Sequence, residues 1–213
     1  MLLIKKGKEP NSLTEYKMKS NAYFDGYSNK GDIRKALLEE QGHLCAYCMK
    51  RISKNNMKIE HYNSQSNSTE KEALDFTNML GVCDGNEGSG SNKTQTCDTH
   101  KGNTLLKVNP FSSASIELIK YKNDGTIYSE NEVINVDLNQ TLNLNCEEVM
   151  LKRNRKAALD ALKAYLSKKK SKDIWSKDLI NKTLDIYLSK DNEGKLKTFN
   201  GIAIWYLKNK LNK

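Results

Sequence analysis

The sequence predicts an α+β chain: a small core of short strands and helix stapled by cysteines, an N-terminal helix before it, and a β-hairpin and helical region after it. Three observations carry this. Four of the five cysteines lie between Cys45 and Cys97. Asp124-Gly125, a strong turn signal, sits between apolar runs at 116–121 and 126–128. From residue 151 onward, Leu151, Ala158, Leu159, Leu162 and Leu166 mark one face of a long helix. The division expected is an N-terminal arm and helix over 1–44, a core over 45–110, and the hairpin with a basic helical region over 111–213.

Composition narrows the classes. With 37% hydrophobic and 29% charged residues among 213, the chain reads as polar and globular. No run reaches the roughly 20 apolar residues of a membrane helix, which excludes a lipid-embedded role. Met1-Leu2-Leu3-Ile4-Lys5-Lys6 is too short an apolar run for a signal peptide, so a reducing cytoplasm and free thiols are expected. The net charge of +9 is uneven: residues 149–213 carry 17 Lys and Arg against 6 Asp and Glu, or +11, leaving −2 for residues 1–148. A basic C-terminal third suits a polyanionic partner, although a solvated lysine-rich helical face would look the same.

In chain order, residues 1–30 are polar with scattered aromatics and predict an arm or short helix. Ile33, Leu37 and Leu38 form the stripe of a helix over 32–41, which Gly42 can end in the left-handed conformation. Residues 58–62 read as a first strand, and 63–70 as a Ser/Asn-rich loop. Residues 73–80 return through Asn78, and 98–107 open a helix that Asn109-Pro110 ends. Asn145, with Glu148 three positions on, resembles a capping box for the longest helix, closed by Lys168, Lys169 and Lys170. Further helices are expected over 173–189 and 199–211.

The chemistry concentrates in the middle. Cys45-Ala46-Tyr47-Cys48 offers two thiolates at a reach that fits one zinc ion, and Cys83 and Cys97 can complete the tetrahedron. Residues 84–96, rich in Gly, Ser and Asn, separate the second pair; a flexible excursion of that kind costs little loop-closure entropy. Buried hydrophobic thiols are the blander alternative, and for the isolated Cys146 a buried inert thiol is the expected state.

The succession Cys-x-x-Cys, Glu60-His61, Asn78, Cys83 and Cys97-Asp98-x-x-Lys101 resembles the HNH branch of the ββα-metal (His-Me finger) nucleases. Its flanks, Leu37 through Cys48 and Phe199-Asn200-Gly201-Ile202 through Lys208, are similar to the PtuB-type HNH subunits of Septu and retron-associated anti-phage systems. The resemblance implies a treble-clef-like core with structural Zn2+ on Cys45, Cys48, Cys83 and Cys97. It also implies a catalytic Mg2+ or Mn2+ on Glu60 and Asp98, with His100 and Asn103 as fallback ligands. His61 becomes the general base, since a neutral imidazole can take a proton near physiological pH. Asn78 braces the loop and orients the histidine, while Lys101 and Arg51 are nucleic-acid-binding candidates. Two positions depart from the family pattern: Glu60 stands where Asp or His is commoner, and Asp98 where His or Asn is usual. A strand would also turn Glu60 and His61 to opposite faces.

The function implied is hydrolysis of phosphodiester bonds in DNA by the nuclease subunit of a prokaryotic anti-phage complex with an ATPase partner. RNA such as tRNA shares the phosphate and is the alternative substrate. A non-catalytic zinc module binding nucleic acid or protein is the alternative of another class.

Overall fold

A computed structural model describes residues 1–169 and 175–212. The N-terminal arm crosses the body before a short helix α1 (Asn11–Lys17) and then α2 (Lys30–Gln41), which buries Ile33, Leu37 and Leu38. Gly42 ends α2 at φ 58°, the left-handed cap expected of it.

The chain then makes a tight knuckle around Cys45 and Cys48 and enters β1 (Met57–His61), antiparallel to β2 (Met79–Cys83). Register runs from Met57 opposite Cys83 to His61 opposite Met79. Between the strands lie the loop over 63–69 and α3 (Glu70–Ala73), whose N-terminus Thr69 and Glu72 close as a capping box. Buried Gln41 fastens α2 to this hairpin. Its amide nitrogen donates to the carbonyls of Leu44 and Gly81, each at 2.7 Å, and its oxygen accepts from the Gly81 N–H at 2.7 Å.

The helix after the last core cysteine is shorter than the sequence suggests: α4 spans Cys97–Lys101, and Gly102 stops it with φ 54°. Ser113–Glu117 forms a helix, α5, where the apolar run suggests strand, because Ser112 caps it by accepting from the Ser115 N–H. The hairpin is therefore only β3 (Lys120–Tyr121) with β4 (Ile127–Tyr128). Gly125, at φ 89°, turns it; a Cβ there would lie 2.1 Å from the Lys152 carbonyl oxygen. A helix α6 (Glu132–Val136) and one π-turn over Asp137–Thr141 follow.

The longest helix, α7 (Leu151–Lys169), begins six residues after Asn145, which is not its cap. Asn145 instead brackets Ile127, accepting from its N–H at 3.0 Å and donating to its carbonyl at 2.8 Å, and accepts at 2.7 Å from Arg155. Arg155 is 1% exposed, so one of the basic residues counted in the C-terminal third contributes nothing to its surface. α8 (Lys177–Leu188) and α9 (Asn200–Leu211) complete the helical region, α9 packing on both α7 and α8. Phe199 precedes α9 in the left-handed conformation, φ 53°, rather than starting it. The expectations for Lys170 and for a helix start at Asp173 lie outside the described residues. The buried apolar side chains of the arm, the β1–β2 hairpin and α7–α9 form one continuous core.

Candidate active site and metal centre

The knuckle gathers four thiols. Cys45 and Cys97 lie with Sγ atoms 3.9 Å apart, Cys48 and Cys83 3.7 Å, and Cys83 and Cys97 3.7 Å, and all four sulfurs fall within 4.8 Å of one another. A tetrahedron with Zn–S bonds of about 2.3 Å has S···S edges of about 3.8 Å. The donor set and its spacing thus fit one zinc-like ion. All four cysteines are buried and unbridged. The Lys50 N–H points at Cys48 Sγ at 3.5 Å, an outer hydrogen bond of the kind that steadies a thiolate ligand. Although burial works against ionisation, hydrogen bonds from Cys48, Cys83 and Cys97 hold the Cys45 thiol well below its ordinary range.

The excursion over 84–96 closes because Gly85, at φ 57°, accepts the Thr96 N–H on its carbonyl at 2.9 Å. Asn143 then donates to the carbonyls of Lys93 and Gln95 at 3.0 and 2.9 Å. Cys146 abuts the same excursion, buried, its thiol 3.2 Å from a Glu148 carboxylate oxygen.

Next to the thiols, β1 sets Glu60 and His61 on opposite sides, as alternation requires. Glu60 is 7% exposed and meets three groups. The Lys101 ammonium lies 2.6 Å from Oε1, the Tyr47 hydroxyl donates to the same oxygen at 3.2 Å, and the neighbouring Asp98 carboxyl bears on it through its charge. Burial, then the neighbouring Asp98 carboxyl, push Glu60 up to about 8 against the pull of Lys101. Two hard carboxylates crowded in this way form a donor pair suited to a divalent cation. Among the described residues, however, only the four cysteines form a group of three or more potential metal ligands.

His61 faces the other way. Its Nε2 lies 2.8 Å from the Ala73 carbonyl oxygen, and its ring meets Phe24 edge-on, centroids 4.5 Å apart at 86°. A carbonyl only accepts, so the neutral ring carries its hydrogen on Nε2 and keeps the Nδ1 lone pair. Burial pushes the imidazole below its ordinary 6.5. Asn78 ties down the residue two beyond His61: its Oδ1 accepts from the Asn63 N–H at 2.8 Å and its Nδ2 donates to the Asn63 carbonyl at 2.9 Å.

Other candidates are placed elsewhere. Lys101 is buried, its side chain 0% exposed, and ends α4 as the counter-ion of Glu60 rather than facing a phosphate. Arg51 gives its guanidinium to the carbonyls of Gly42 at 3.0 Å, His43 at 3.2 Å and Leu196, clamping the knuckle to the C-terminal region. His100 turns Nδ1 to the Thr141 carbonyl at 2.9 Å, and Asn103 is exposed beyond the end of α4. Sequence reasoning missed Tyr47, whose place inside Cys-x-x-Cys was the available signal, and Phe24 and Gln41, whose partners are distant in the chain.

The arrangement defines a class: a thiolate-stapled β-hairpin and helix carrying an acidic couple on one side and an oriented histidine on the other. No family model matches the chain. It is 32% identical over 97 residues to a protein of Vibrio cholerae serotype O1 biovar El Tor named "Retron Vc95 putative HNH endonuclease", a match covering 45% of this chain and 45% of that protein. The chain thus spans less than half the length of this relative. No helix among the described residues is long and apolar enough to cross a membrane.

Proposed function

We propose that the protein is a metal-dependent HNH endonuclease hydrolysing phosphodiester bonds, with DNA as substrate, and that it serves as the nuclease subunit of an anti-phage complex with an ATPase partner. The observation that carries the nuclease reading is that one short hairpin beside the four-thiol cluster carries the Glu60–Asp98 couple on one face and, on the other, a histidine whose Nε2 is fixed on a backbone carbonyl. The match to a retron-named relative supports the defence setting.

Cys45, Cys48, Cys83 and Cys97 hold structural zinc, and Glu60 with Asp98 hold a Mg2+ or Mn2+ ion. That ion would neutralise charge developing on the phosphate and leaving oxygen. His61, neutral at physiological pH, takes the proton of the attacking water on Nδ1. Asn78 keeps the strand end and its loop in place while this occurs, and Phe24 fixes the plane of the ring. Lys101 compensates Glu60 when no divalent ion does.

One observation favours a second reading. Lys101 already occupies Glu60 Oε1 at 2.6 Å, which suits a non-catalytic zinc module that binds nucleic acid. A nicking assay separates the two: wild type and His61→Ala, each with plasmid DNA and with tRNA, titrated with magnesium or manganese. Cleavage of plasmid that requires both the ion and His61 supports the nuclease; cleavage of tRNA alone moves the substrate to RNA. Binding without cleavage, unchanged in His61→Ala and after adding an ATPase of the proposed kind, would leave the binding module.

A further inference from the structure

The reaction outlined above makes no use of the surface beside Phe24. Phe24 is buried against His61, so the segment following α1 is anchored to the proposed base. Its neighbour Tyr23 is 48% exposed, a large aromatic ring left open on the surface. The ring rests on Gly26: a Cβ at that position would lie 2.7 Å from Tyr23 Cε1 and Cζ and 2.8 Å from the Tyr16 hydroxyl. Tyr16 in turn donates that hydroxyl to the Tyr23 carbonyl at 3.2 Å. The missing side chain at Gly26 lets one side of Tyr23 settle on backbone while the rest of the ring stays open.

Cations lie over two other rings of the same segment. Lys19 Nζ lies 5.2 Å from the Tyr16 centroid, and Lys30 Nζ lies 4.5 Å from the Phe24 centroid and 3.5 Å from Asp25. An open aromatic face on a fixed floor, with ammonium groups on the same segment, is how proteins hold single strands: bases stack on rings and phosphates meet cations. Paired bases hide their faces in the duplex and have none to offer.

We propose that Tyr23 is a stacking platform for an unpaired nucleobase next to the His61 site, with Lys19 and Lys30 meeting the adjoining phosphates. The platform rests on the reading of that site as a phosphodiester site and narrows its substrate to locally unpaired nucleic acid.

The test is fluorescence anisotropy on the full, zinc-loaded chain with magnesium omitted, using labelled oligo(dT) and a blunt duplex of equal length. Tyr23→Ala should weaken oligo(dT) binding by about 5- to 150-fold, the range for losing one stacked base, and leave duplex binding unchanged. Tyr23→Phe should bind as wild type, because the face and not the hydroxyl does the stacking. Gly26→Ala, which displaces the ring while leaving Tyr23 intact, should lower oligo(dT) affinity in the same sense. Thermal melts check that each variant is folded.

Equal losses on oligo(dT) and duplex, or wild-type oligo(dT) affinity in folded Tyr23→Ala, would overturn the platform. If cleavage needs His61 yet oligo(dT) binding ignores Tyr23, the platform fails and the nuclease stands. If binding needs Tyr23 and no His61-dependent cleavage occurs, the platform stands and the nuclease fails.

Discussion

Glu60 and His61 are neighbours in the chain and opposites in environment, and their protonation should differ accordingly. Burial lowers the His61 pKa from 6.5, so the ring is neutral over the whole physiological range. The acid limb of a cleavage-rate profile should therefore fall below pH 6.5, and a midpoint above that value would exclude His61 as the titrating base. Glu60 shifts upward, to about 8 from 4.5. A carboxyl raised on folding favours the protonated native state, so this group stabilises the ion-free protein relatively most below pH 4.5 and loses that contribution as pH rises toward 8. Divalent-ion affinity should rise over the same interval, as the ion displaces the proton; Mn2+ titration at stepped pH reads it, and Asp98→Asn should shift the rise to lower pH. Lys101→Met removes the buried partner of Glu60, and breaking such a pair costs about 3–5 kcal/mol. Chemical denaturation at pH 9, where Glu60 is ionised, should show the largest loss.

Elements decide whether these residues meet at all. The knuckle, the β1–β2 hairpin and α2 are joined by Gln41, whose amide satisfies three buried backbone groups. Gln41→Ala would take this partner from the Leu44 carbonyl and the Gly81 N–H, while the Gly81 carbonyl keeps the Ala46 N–H; at about 1–3 kcal/mol for each group left unpaired, the measured loss in urea unfolding should exceed that of an exposed α2 variant such as Lys35→Ala. Gly85 matters for a different reason. It combines φ 57° with a position where a Cβ would sit 2.3 Å from the Thr96 carbonyl oxygen. Gly85→Ala should loosen the return of the chain to Cys97 and weaken zinc retention in a chelator competition, while Gly88→Ala, whose Cβ would meet nothing within 4 Å, should not.

At the scale of the whole molecule, one core runs from the arm through the thiol cluster to α9. Removing metal should accordingly affect more than the knuckle. A folded-state zinc site of this type contributes about 10–16 kcal/mol of binding free energy in small metal-folded domains; here the expected outcome of chelation is a lowered, broadened thermal transition that zinc restores. Charge acts at the same scale. Residues 149–213 carry +11, but Lys152 pairs with Asp124 and Lys156 with Asp160, and Arg155 is buried. Nucleic-acid affinity should still fall with added salt, with a log–log slope smaller than a count of all basic residues would give, at about 0.7–0.9 per phosphate neutralised.

The sequence by itself determined the thiol framework, α2 with its Gly42 cap, the strand at Glu60-His61 and the helical C-terminal region, because spacing, periodicity and turn chemistry are local properties. It could not place Asn145, which serves Ile127 and Arg155 instead of a helix end, nor the extent of α4, which Gly102 cuts short. Above all, the resemblance made Lys101, expected near a helix N-terminus, and Arg51 candidates for phosphate. The tertiary structure gave buried Lys101 to Glu60, since a cation carried inside the fold must find its partner there or pay the cost of desolvation, and half-buried Arg51 to three carbonyls. Only three-dimensional packing also brought Phe24, 37 residues earlier in the chain, against His61.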